Sequence, residues 1–513
     1  MRDGADRWVR ACWFAVAALF LATLPRYLTP FVAELVRPGA ASALITVDDA
    51  FYVQTLARNL ARDGRFHISG IDTDGFQPLI VVLRGALAWA LPDASPRAFL
   101  VVTFALQAAL VATAAALLKR WYRVATGDAD ALGGWLVVAL FLASRFVFLA
   151  YINPLETLLS QCLLLGFLLA EASPRAGWRR GVALGALGGL CFLARTDFVL
   201  FAGALTLVAA WEDRADWSRR ARAPWLWTAL ALGALIALPW LLYCKLQFGS
   251  FVPRSGKATT FITHGGLRPW QVWSAAKLSN VASGLVGNLS ILGASREPSG
   301  LLSGALGVPL TAMAWRWSFG ALPRLARRLL ALTAIYGLIY WLALGSLYDT
   351  WRYLSVLQLL ALPIVARAVV TAGGALRRVA VPTVALLVAL TSLYTVTRLR
   401  ALPTLGAAPS LAALLARDPR TRDARVGAFN SGLLSWEHPH AMNLDGKIHH
   451  DAGYALFAGP ASFTRWLDAR SIDWFADDPA YLATSYRGPA RWVPVTLAPG
   501  RVVYRRARAA PAP

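Results

Sequence analysis

Apolar stretches of about 15 to 20 residues recur from the N-terminus to about Thr397, and this recurrence constrains the chain more than any single motif in it. It indicates many membrane-spanning helices. The totals agree: 57% of the 513 residues are hydrophobic and only 15% charged, with mean hydropathy +0.50, a balance that soluble domains do not have. The first segment has a basic start and an apolar run without a clear small-residue cleavage site, so it reads as a retained first span and not a signal peptide.

A net charge of +23 invites a nucleic-acid reading. The basic residues argue against it, because they form no single stripe. They fall in small clusters between apolar stretches, which is what orientation by the positive-inside rule produces. Walked in order, these are Arg2, Arg7 and Arg10; Lys119, Arg120 and Arg123; Arg175, Arg179 and Arg180; Arg214, Arg219, Arg220 and Arg222; Arg316, Arg324, Arg327 and Arg328; and Arg367, Arg377 and Arg378. With all of them cytoplasmic, about eleven spans pair up: 11–29, 98–118, 132–151, 155–171, 181–195, 198–211, 225–243, 301–316, 329–346, 353–367 and 379–396, each end good to a few residues. The 21 tryptophans suit membrane interfaces. Cys12, Cys162, Cys191 and Cys244 sit in or at the ends of apolar runs without metal-ligand or paired spacing, and read as small packing residues.

The segment 78–91, PLIVVLRGALAWAL, is apolar but short and holds Arg84. Counted as a span it would invert every later cluster. It is placed flat in the outer interface as an amphipathic helix. The topology then gathers DDAFY (48–52), NPLE (153–156), RTD (195–197), FVPRSGK (251–257), DTWRY (349–353) and everything beyond the last span on the outer face. Polar groups converging on one membrane face suggest one active site there.

The side chains suggest chemistry in different degrees. From Asp48, the residues Val53, Leu56, Ala57 and Leu60 follow helical spacing, with Gln54, Arg58 and Arg62 on another face and Gly64 as a stop. Asp48 reads either as the N-cap of that helix, with Asp49 favourable to its dipole, or as a general base taking a proton from an attacking hydroxyl. Arg145, Glu156, Arg195 and Asp197 are charges in or at the ends of apolar runs, where such groups face a cavity or pair with one another. Lys257 and Arg352 could hold a lipid phosphate or simply snorkel to headgroups. His438, His440, His449 and His450 match no strong zinc pattern and read as structural or solvated. From about Arg398 the character changes to short apolar runs ending in turn signals, the pattern of a small soluble α/β or α+β domain.

DDAFYVQTLARNLARDGRF followed by TDGFQPLI resembles the first outer loop of the GT-C superfamily of integral-membrane glycosyltransferases, particularly bacterial members related to the protein mannosyltransferase and arabinofuranosyltransferase groups. NPLET, LARTDF, FGSFVPRSGKA, DTWRYL and VGAFNSGLLSW with NLDG are similar to further elements of that superfamily in the same order, so the resemblance covers nearly the whole chain. It departs at Asp74, where the family usually has Asn, at Gln77, where it usually has His, at Ile80, where Trp is common, and in NPLE, which lacks Gly-Met.

The resemblance implies an α-helical multi-span membrane protein of about eleven transmembrane helices with a small C-terminal soluble α/β or α+β domain. Residues 1–397 would form the membrane catalytic domain, with an outer loop at 30–97, and residues 398–513 the periplasmic or extracytoplasmic domain. It implies a transferase that moves a sugar from a polyprenyl-phosphate donor to an acceptor hydroxyl, with inversion, in a bacterial inner membrane with a cytoplasmic N-terminus. Asp48 maps onto the base and Asp49 onto a helper or metal contact; a divalent cation is used by some relatives and is not required by this sequence. Lys257 and Arg352 match the donor-phosphate cations. Glu156, Arg195 and Asp197, with Gln77 and Arg58 of the loop, would line or brace the pocket. The acceptor would be a glycan, a lipid or a protein. Two other classes stay open: a transporter or flippase for a lipid-linked sugar, and a non-enzymatic membrane scaffold.

Overall fold

The computed structural model describes residues 2–173, 178–212, 224–251, 253, 255, 298–321, 330–338, 352, 355–372, 374–402, 410–477 and 491–507. Lys257 and most of the FVPRSGK and DTWRY elements lie outside the described residues, as does part of the expected span 329–346. The chain divides into two compact units of interleaved sequence: Met1–Val36, Val101–Pro239 and Pro269–Pro403 form one, and Arg37–Leu100, Trp240–Arg268 and Thr404–Pro513 the other.

Four helices among the described residues are long and apolar enough to cross a membrane: Asp6–Val36, Pro96–Thr126, Pro224–Phe248 and Arg378–Ala401. A fifth is available if the bent pair Ala131–Ala143 and Arg145–Ile152 is one span. Phe14, Leu21, Leu235 and Leu246 lie largely exposed on these helices, an outward apolar face that an aqueous surface does not favour. Four of the eleven expected spans appear as shorter apolar helices, Thr157–Glu171, Trp178–Ala194, Phe198–Glu212 and Ser355–Val370, below the ~20 residues of a straight crossing.

The expected span 132–151 is broken. Its two halves meet at Ser144 with a bend of 57°. Such a break frees backbone carbonyls, which in an apolar setting must find donors. Arg26, only 4% exposed, supplies them. Its guanidinium donates to Leu142 O and, at 3.2 Å, to Ser144 O, and the Tyr27 hydroxyl donates to Leu142 O at 2.9 Å. Gln358 donates to the Ser144 hydroxyl at 2.7 Å. In the same unit, the Trp178–Ala194 and Pro224–Phe248 helices pack through Gly181, Gly185 and Gly189. A Cβ on Gly185 would sit 2.7 Å from Ala229 O, so only glycine allows this approach.

The second unit contains the helix Asp49–Asp63, a two-residue hairpin of β1 (His67–Ile68) and β2 (Ile71–Asp72), and the helix Pro78–Ala90. The expected loop helix ends as its sequence dictates: Gly64 adopts φ 67° and its N–H closes on Leu60 O. Val53, Leu56 and Ala57 are buried, as their spacing predicts. The rest of the unit is β-rich. Strands β3 (Arg425–Ala428), β4 (Ala441–Asn443), β5 (Ile472–Phe475), β6 (Arg491–Ala498) and β7 (Arg501–Ala507) form a mixed sheet in the order β4-β3-β5-β7-β6. β3 pairs in parallel with β4 and β5, and the C-terminal hairpin β6–β7 adds antiparallel. Two apolar clusters anchor it: Leu415, Val426, Leu434 and Trp474 in one, Phe429, Met442, Phe463 and Phe475 in the other.

Candidate active site

Asp48 occupies the N-cap position of the Asp49–Asp63 helix, yet its carboxylate makes no capping hydrogen bond to that helix's amides. It caps a different one. Gly432 N donates to Asp48 Oδ2 at 2.5 Å and Leu433 N to Oδ1 at 3.0 Å, so Asp48 holds the first two amides of the Gly432–Glu437 helix, 384 residues away in sequence. The approach is close enough that a Cβ on Gly432 would lie 2.1 Å from Asp48 O.

Tyr52, one turn along the same helix, tightens this junction. Its hydroxyl meets Ser431 Oγ at 2.9 Å and accepts from Ser431 N and from Asn443 Nδ2, each at 3.1 Å. Asp49 and Asp445 act electrostatically on the same group. Burial pushes the Asp48 carboxyl above its ordinary value; the two amides oppose this and the neighbouring Asp49 charge adds to it. Burial raises Asp445 in the same way, and it holds the Tyr52 phenol well above its usual range. Among the described residues no three His, Cys, Asp or Glu side chains are grouped so as to hold a metal ion.

The TDGF stretch sits in the same unit. Asp74 is fully buried and its Oδ1 lies 2.5 Å from His450 Nε2. His449 beside it bridges backbone groups: its Nδ1 accepts from Asn443 N at 2.9 Å and its Nε2 meets Ile68 O at 3.2 Å. These histidines are structural, as the spacing suggested. Gln77 is the N-cap residue of the Pro78–Ala90 helix and its side chain makes no capping bond there. Arg58 stands beyond the Asp48 junction along the helix, its guanidinium 5.2 Å from the ring centre of Trp436.

Four of the remaining expected residues come together in the other unit. Arg352 donates from Nε and Nη2 to the two oxygens of Glu156, at 3.0 and 3.1 Å. Arg195 forks onto Asp197 at 2.9 and 2.6 Å, donates to Arg352 O at 3.1 Å, and lies 3.9 Å from Glu156. The cluster is dry, with Glu156 2% and Arg352 8% exposed. The cavity beside it measures about 40 Å³, room for a water and not for a sugar. Arg195–Asp197 is the local pair that the tight turn suggested. The Arg352–Glu156 fork joins positions that sequence reasoning had given separate roles.

No protein-family model and no curated protein sequence matches the chain. Solved structures do. An oligosaccharyltransferase of Archaeoglobus fulgidus in the apo form superposes with TM-score 0.53 and 14% identity over 91% of this chain and 70% of that one. The oligosaccharyltransferase AglB of the same organism, in complex with an inhibitory peptide and a dolichol-phosphate, gives 0.51 and 13% over 97% and 74%. The A. fulgidus enzyme in complex with Zn and sulfate gives 0.52 and 13% over 96% and 73%. At such identity the likeness is one of fold: the chain has a largely helical, membrane-type architecture with a β-rich C-terminal part, similar to these oligosaccharyltransferases.

Proposed function

We propose that the protein is a membrane glycosyltransferase that moves a sugar from a polyprenyl-phosphate donor to an acceptor hydroxyl on the periplasmic side of a bacterial inner membrane. The observation that carries this reading is the seating of Asp48 by two backbone amides, in a chain that shares its fold with oligosaccharyltransferases, one of them solved with a dolichol-phosphate. A base must be held in place and must have a proton affinity nearer to working pH than a free carboxylate has. Two amide donors fix the Asp48 carboxylate, and burial raises its proton affinity. In this reading Asp48 takes the proton of the acceptor hydroxyl as its oxygen attacks the anomeric carbon. The phosphate leaves from the opposite face, with inversion.

The same reading keeps about eleven spans with a cytoplasmic N-terminus, residues 1–397 as the membrane part with its outer loop at 30–97, and residues 398–513 as the extracytoplasmic part. Lys257 and Arg352 would offset the charge of the leaving phosphate. Glu156, Arg195 and Asp197 would hold Arg352 in position. Gln77 and Arg58 would line the loop side, and Asp49 would assist Asp48 or contact a cation. The motifs favour kinship with the mannosyl- and arabinofuranosyltransferase groups.

The test is genetic and chemical. A gene knockout is complemented with wild type or Asp48→Asn, and envelope glycans and polyprenyl-phosphate sugars are profiled by mass spectrometry. A glycan residue lost in the knockout and restored by wild type alone supports the reading. Unchanged glycans with a lipid-linked sugar redistributed between leaflets would replace it with transport, and silent Asp48 variants would retire the base.

A further inference from the structure

A groove of about 960 Å³ opens in the second unit along the Arg58 face of the Asp49–Asp63 helix. Thr55, Arg58, Asn59 and Arg62, one helical stripe, form one wall; the segment Ser435–His440 forms the other; Trp89 and Phe99 stand at the end. Its size matches the upper end of small-molecule sites. Of its lining, the proposed transfer uses Arg58 alone.

Two features of the lining point to one kind of ligand. The first is a graded aromatic surface. Trp436 lies 6.5 Å from Phe99, centre to centre, with the rings tilted by 30°, and Arg58 covers Trp436 from its own side. Trp89 is 75% exposed at the rim. A large ring left open at Trp89, with Phe99 buried behind the lining, suits a partner with an apolar face and a wet edge. The second is an unmatched cation. Asp63 is engaged by Arg62 and His67, and Glu437 by the Ser410 hydroxyl, but Arg58 forms no ion pair among the described residues. Burial pushes its guanidinium down from its ordinary value, so it is partly stripped of water as well.

A pyranose or furanose ring presents C–H faces that stack on aromatics and an equator of hydroxyls that pair with forked and single donors. A peptide would need a row of backbone partners, and a lipid tail would need a lining without the Arg58, Asn59 and His440 polar groups. We propose that this groove is an oligosaccharide-binding subsite, in which Trp89 carries a sugar face and Arg58, held against Trp436, binds hydroxyls. Its role as the acceptor subsite rests on the glycosyltransferase reading. Its capacity to bind glycan does not. The acceptor class that follows is a glycan chain, and not a single small hydroxyl compound, because the groove extends well past one ring.

Binding is measured directly, so that it is independent of turnover. The full chain in nanodiscs is titrated with short mannan, arabinan and galacturonan oligosaccharides, read by saturation-transfer NMR and by tryptophan fluorescence. At least one probe is expected to bind with Kd of about 1 mM or tighter, and Trp89→Ala, an exposed position that leaves packing untouched, should weaken it by about tenfold. Arg58→Gln and Trp436→Phe should weaken the same probe. The proposal is overturned if no probe binds at that concentration, if binding survives all three substitutions unchanged, or if brominated lipid in the nanodisc quenches Trp89 and oligosaccharide does not relieve it. Loss of binding in Trp89→Ala with no transferase activity in wild type would retain the subsite and reject only the enzyme reading.

Discussion

The amide of Gly432 points at the carboxylate of Asp48 from 2.5 Å, and the two residues approach so closely that position 432 has no room for a side chain. Gly432→Ala would place its Cβ 2.1 Å from Asp48 O, against rigid backbone. The expected cost is about 1–3 kcal/mol, seen as a lower unfolding midpoint, with transfer falling alongside although no acid has been altered. An unchanged midpoint would show that the junction relaxes freely.

Asp48→Asn keeps the size and loses the charge. Its NH2 would face one of the two amides that the carboxylate now accepts, at a cost of about 1–3 kcal/mol. If Asp48 is the base, transfer falls by about 10²-fold or more, a far larger effect than the stability change explains. The wild-type rate should also show its acid limb above pH 3.8, the ordinary value from which burial raises this carboxyl. The base works only when ionised, so activity is lost as pH falls through that raised value.

The Arg352–Glu156 fork is a buried pair, and removing one partner strands the other. Glu156→Leu or Arg352→Leu alone should destabilise by about 3–5 kcal/mol, whereas the double replacement should recover most of it. A double-mutant cycle by chemical denaturation in detergent measures the coupling. Additive single effects would mean that the contact carries little.

His449 sets a pH window for the second unit. It is fully buried, and burial lowers it from 6.5 to about 4. Its Nδ1 accepts from Asn443 N, and a proton there would break that bond. A lowered folded value means stability present above pH 6.5 and lost as pH falls toward about 4, worth on the order of 3 kcal/mol. Unfolding midpoints between those pH values should fall in wild type and flatten in His449→Gln.

Local signals were legible where local chemistry decides. The Asp48 start, the apolar spacing at Val53, Leu56 and Ala57, and the Gly64 stop gave the loop helix its bounds to within a residue. The RTD turn announced an Arg195–Asp197 pair that the short loop closes by itself. Asp48 reads from the sequence as a cap of its own helix or as a base, and the helix it caps is another one, because nothing near residue 48 tells which amides will arrive from residue 432. Asp74, a departure from the family pattern, looked like an isolated substitution until His450 met it. The break at Ser144 lay inside an expected span; the donor to its freed carbonyls is Arg26, more than a hundred residues earlier. Pattern along the chain fixes faces and ends, and says little about which distant polar groups satisfy one another.

A ribosome delivers Asp48 long before the amides it receives. Nearly four hundred residues must be made before Gly432 and Leu433 exist, so until then the first loop holds its acid without the two amides that seat it. A product stalled before residue 432 would keep Asp48 in water, unable to take its final geometry.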